Sequence, residues 1–130
     1  MKRWWLTGVL FVVMAGSATA ADPLAEKIGK HGVSNADPVL TEDVMKMANS
    51  IVPLLVEHDA QMPHLADACP TVVRADTVIT RSDGHGGWSE DWTFKVCSFR
   101  YTVPIEFVPD SKGGTYFTVK GKGRLERPRD

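Results

Sequence analysis

The apolar residues of this chain change their period once, near residue 70, and that change dictates a helix packed on a sheet. Upstream, Leu40, Val44, Met47, Ala48, Ile51, Leu54 and Leu55 recur at the spacing of one helix face. Downstream the pattern alternates. Val73, Ala75, Thr77 and Ile79 share one face of a strand, opposite Arg74, Asp76 and Thr80. Trp88, Trp92, Phe94 and Val96 share the next, and Tyr101, Val103, Ile105 and Phe107 the third. One helical layer on one sheet is the simplest way to bury both kinds of apolar face, which makes the fold class α+β.

Helix start signals stand at Asp37, a cap with Pro38 at the first helical position, and at Thr41 followed by Glu42 and Asp43. Pro53 is expected to kink the helix or to start a second one, because it lacks a donor and crowds the preceding turn. The helical region ends by about Gln61, before Pro63. Glycine, aspartate and proline clusters at 82–87 and 109–114 read as turns, and 97–100 as a tight connection. A last strand over 115–120 directs Phe117 and Val119 to the core. Short turns joining four strands predict an antiparallel meander. Pro104 cannot donate to a ladder, so its strand is an edge or leaves that position unpaired. Residues 38–120 therefore form a single domain, after a loose lead-in at 21–37 and before a basic tail at 121–130.

Compartment follows from the first twenty residues. Lys2 and Arg3 precede an apolar run of about 11 residues, against ~20 for a membrane-crossing helix, and Ala18-Thr19-Ala20 matches a signal-peptidase site. Cleavage after Ala20 is expected, giving a periplasmic or secreted protein with no stable membrane insertion. Cys69 and Cys97 remain, and an even pair in an oxidising compartment is most simply a disulfide. It would tie the helix–sheet connection to the end of the second strand.

Charge is uneven. The chain carries net −1 overall, yet residues 112–130 hold six basic side chains against Glu126 and Asp130. Lys112, Lys120, Lys122, Arg124, Arg127 and Arg129 could meet an anionic surface, but glycine and proline break the run, and a solvated tail explains it. No nucleic-acid partner is expected.

The stretch from Trp92 to Cys97, then Tyr101 to Asp110, then Gly113-Gly114-Thr115-Tyr116-Phe117, resembles a C-terminal element of small uncharacterised exported proteins of proteobacteria. The shared features are a tryptophan strand, a cysteine turn, a V-x-I-x-F strand and a P-D-x-x-G-G-T turn. The resemblance implies the hairpin architecture and the compartment, and no activity.

No motif names a reaction: G-x-S-x-G and H-E-x-x-H are both absent from the chain. His58, Asp59, Met62, His64, Asp67 and Cys69 cluster in sequence, with Met45 and Met47 upstream, a donor set suited to copper. The two histidines are six residues apart, which misses the spacing that places two ligands on one helix face, so no metal or other cofactor is expected. Glu90 shares a face with Trp88 and Trp92 but stands near the start of its strand, where a partly exposed, inert glutamate is expected. An envelope enzyme would have to use Glu90 or His85. The favoured reading is a module that binds a protein partner in the envelope. Its expected site is the 83–88 loop with Asp83, His85 and Trp88, with Asp110 of the next turn second, because loops on a rigid sheet commonly carry contacts.

Overall fold

The structure, a computed structural model, describes residues 23–128. The expected signal segment at 1–20 and the last two tail residues lie outside the described residues. Helix α1 (Pro38–Ala60) is followed by a short helix α2 (Leu65–Ala68) and by strands β1 (Val73–Ser82), β2 (Trp88–Val96), β3 (Phe99–Pro109), β4 (Thr115–Val119) and β5 (Arg124–Glu126). Consecutive antiparallel pairing of β1 to β4 makes the expected meander. The fold is α+β, with one addition: β5, from the expected tail, pairs with β3 beside β4. Among the described residues no helix is long and apolar enough to cross a membrane.

Asp37 caps α1 by accepting the Leu40 N–H at 2.8 Å, and Gln61 ends it in the left-handed region. The helix runs through Pro53 without interruption. Its buried ridge is Leu40, Val44, Ala48, Val52, Val56 and Ala60, one residue every four. Such a ridge winds around the helix instead of running parallel to its axis. The expected stripe followed the 3.6-residue period and placed Ile51 and Leu54 inward; both are exposed, at 38% and 56%.

β2 and β3 carry the core: Trp92, Phe94, Val96 and Phe107 are fully buried, and Ile105, Tyr101 and Val103 nearly so. On the opposite face Thr93 and Thr102 share a hydroxyl hydrogen bond of 2.8 Å, and Glu106 pairs with Arg81 and Lys120. β1 departs from its expected alternation. Register shifts between Arg74 and Asp76, and between Ile79 and Arg81, leave Val73 exposed while Thr77 and Ile79 stay buried. A bulge inserts an unpaired residue and so reverses the facing of what precedes it.

β3 is an internal strand, which corrects the edge reading. Pro104 falls between the segment paired with β4 (Ile105–Pro109) and that paired with β5 (Arg100–Thr102), so its missing donor costs no ladder bond. Its carbonyl still accepts from the Lys120 N–H at 2.9 Å. The Cys69–Cys97 disulfide, with Cα atoms 5.7 Å apart, joins the end of α2 to the two-residue turn between β2 and β3. A crosslink over such a loop stabilises by roughly 3–4 kcal/mol.

The lead-in expected to be loose follows β1. A 3-10 turn (Ala25–Lys27) precedes bridges from Ile28 to Ile79 and from His31 to Val78. Gly29 and Gly32 donate their N–H groups to the carbonyls of Ile79 and Thr77, both at 2.8 Å. Local composition gave no sign of this, because the partners lie about 45 residues downstream.

Candidate functional site

The two turns singled out in the sequence are one construction used twice. In 83–87 and in 110–114 an aspartate opens the turn, the fourth residue is a glycine at positive φ, and the fifth is glycine. Asp83 Oδ1 accepts from the N–H groups of His85 and Gly87 at 2.7 and 3.0 Å. Asp110 Oδ1 accepts from Lys112 and Gly114, both at 2.8 Å. The backbone N–H of His85, more than any other group, holds the Asp83 carboxyl below the usual aspartate range. Both carboxylates thus serve turn geometry. The loops stand side by side: a Cβ added at Gly86 would lie 3.6 Å from the Pro109 ring. His85 is exposed, but Trp88 is not: it is 7% exposed and stacks on Phe107 at 4.9 Å. The aromatic face that strand alternation assigned to Trp88, Trp92 and Phe94 is core, so Trp88 offers no exposed surface beside His85.

Glu90 corrects the expectation of a partly exposed side chain. It is fully buried, and its oxygens accept from Trp88 Nε1 at 2.6 Å, Trp92 Nε1 at 2.8 Å and the Asn35 N–H at 2.8 Å. Three N–H donors are satisfied by one acceptor-only group, and the lead-in supplies the third. Sequence alternation placed Glu90 with the tryptophans, but nothing local announced Asn35.

His58 and His64 do not come together as a ligand set. His58 bonds Asp59 at 3.0 Å, His64 precedes α2 at positive φ, and Cys69 is held in the disulfide. Met45 and Met47 pack against the core. Among the described residues, no three His, Cys, Asp or Glu side chains are grouped to hold a metal ion.

An open groove of about 400 Å³ lies between the C-terminal half of α1 and the β4–β5 side of the sheet. Met47, Ile51 and Leu55 form one wall, the next ridge round from the buried one. Val103 and Tyr101 contribute from β3, and Val119 from β4. The far wall is the β4–β5 connection, Gly121, Lys122 and Gly123. Gly123 lies against the Tyr101 ring so closely that a Cβ would overlap it. At one end Asp59 accepts from Tyr101 Oη at 3.1 Å and pairs with exposed His58. Burial first, then the Asp59 hydrogen bond, pushes the Tyr101 phenol up to about 12. The His58 hydrogen bond is the main cause holding the Asp59 carboxyl below its usual range. The sequence held one sign of this groove: the helix carries more apolar residues than a single face can bury.

No family model matches the chain, and no curated protein or solved structure is significantly similar to it.

Proposed function

We propose that this protein is an exported binding module that holds a protein partner by an apolar group seated in the groove between α1 and the β4–β5 side of the sheet. The observation that carries this reading is a concave apolar surface in which exposed Ile51 and half-buried Met47 and Leu55 face Val119 across the groove. Export is supported by the leader-like first twenty residues and by the disulfide, a bond that persists in oxidising compartments. The paired loops at 83–87 and 110–114 present polar groups already used in their own turns, which makes them the weaker surface. Catalysis through Glu90 is disfavoured by its burial and by the three donors that occupy it.

Affinity capture from the native envelope tests the reading. Ile51 keeps 38% of its surface exposed, so Ile51→Asp is compared only after circular dichroism shows that the variant is folded. The expected result is a specific partner lost with Ile51→Asp and kept with His85→Ala. The converse pattern moves the binding surface to the loops and defeats the groove.

A further inference from the structure

We infer that the groove receives an extended peptide segment of the partner, with one bulky apolar side chain in the cleft and a main-chain N–H on Asp59. This inference rests on the groove being the partner site.

The opposite flank of the same sheet shows how such a site is covered. There a buried carboxylate, Glu90, takes hydrogen bonds from two aromatic N–H groups, and an irregular peptide segment completes the unit. That segment inserts Leu24, 9% exposed, and donates the Asn35 N–H to Glu90 at 2.8 Å. Further main-chain bonds from Gly29 and Gly32 hold it along β1.

The groove presents the same unit without its cover. Asp59 takes a hydrogen bond from the Tyr101 phenol, and apolar side chains lie open beside it. A carboxylate has about four acceptor positions, and Asp59 uses one for Tyr101 and one for a largely solvent-exposed His58. Acceptor capacity therefore remains at the mouth. The far wall adds main-chain groups. None of the backbone hydrogen bonds outside helices and strands involves Gly121, Lys122 or Gly123, among the described residues. Two of these three residues have no side chain to screen their peptide groups. An extended peptide pairs with such groups. A lipid chain would fill the apolar part and make no use of the polar groups at the mouth.

The test is selection of displayed random dodecapeptides on the purified, disulfide-intact protein, with binding of labelled winners read by fluorescence polarisation. Nile red binding is measured in parallel, and circular dichroism confirms the fold of each variant. Winners are expected to share one aliphatic or aromatic anchor and to weaken by about tenfold or more with Ile51→Asp. N-methylation of one amide beside the anchor is expected to weaken binding about tenfold in the native protein and much less in Asp59→Ala. A flat N-methyl scan, or equal sensitivity in Asp59→Ala, overturns the peptide inference. No winners, with Nile red binding that Ile51→Asp abolishes, also overturns it but leaves the groove as a site for apolar ligands. Neither peptide nor dye in the groove overturns both readings.

Discussion

At the β1–β2 flank of the sheet, Glu90 is fully buried among two indoles and a strap of chain; at the β4–β5 flank, Asp59 meets a phenol at the mouth of an open groove. Both flanks use a carboxylate to satisfy aromatic donors that the core would otherwise strand. They differ in what lies on top. Residues 24–36 cover the first, and solvent reaches the second, where the Asp59 side chain is 35% exposed. The same aromatic–carboxylate unit is a core element when the chain covers it and an accessible surface when it does not.

Breaking the sealed flank should have the largest effect. Glu90→Ala leaves two indole N–H groups and the Asn35 N–H without their acceptor. With about 1–3 kcal/mol for each stranded donor, a loss of roughly 4 kcal/mol is expected in urea unfolding followed by tryptophan fluorescence. That is a large share of the ~5–15 kcal/mol typical of a domain. A loss below about 1 kcal/mol would mean that water replaces the carboxylate, and the flank would not be sealed.

Leu24→Ala comes next, at roughly 2 kcal/mol, the low end for a buried leucine because this one lies at the core's margin. Amide exchange at Gly29 and Gly32 should accelerate more than exchange in β2 and β3, showing that the strap opens by itself.

Acid should loosen the same strap. Asp76 accepts from the Gly32 N–H at 2.7 Å and bonds His31 at 2.6 Å; the His31 bond is the largest cause of its lowered pKa. A lowered carboxylate adds stability above its ordinary value of 3.8, and this is lost as pH falls through the lower folded value. Exchange protection at Gly32 should therefore fall in that acid range, and His31→Ala should move the loss to higher pH.

On the open flank the effect is smallest, and it is lost at high pH instead of low pH. Tyr101 is raised from 10.0 to about 12, so its contribution is complete below pH 10 and lost as pH rises through about 12. Phenolate absorbance should show Tyr101 ionising near that upper value. Asp59→Asn should lower it only in part, since burial is the larger cause. An unchanged midpoint in Asp59→Asn would remove the carboxylate from the comparison.

Much of the fold was legible because its signals are local. Asp37 and Pro38 start α1 where the cap was expected, the glycine-rich turns at 82–87 and 109–114 separate the strands, and Tyr101 to Phe107 alternate inward. Asp83 and Asp110 lie in the turns their surroundings predicted and Trp88 is core as its strand alternation favoured, while Glu90 was placed on the right face with the wrong exposure. Alternation tells which residues share a face but not what lies over that face.

By itself the sequence determined the α+β class, the strand order implied by short turns, and a cysteine pair with no other partner to choose. These follow from periodicity, turn chemistry and counting, which act over a few residues or over the whole composition. Tertiary structure decided that Glu90 is buried, that the lead-in straps β1 and that Ile51 borders an open groove. Each depends on groups far apart in the chain: Asn35 meets Glu90 across 55 residues, and Tyr101 meets Asp59 across 42. The winding of a four-residue ridge around α1 chose which apolar residues went in and which stayed out, and that choice exists only once the helix lies on the sheet.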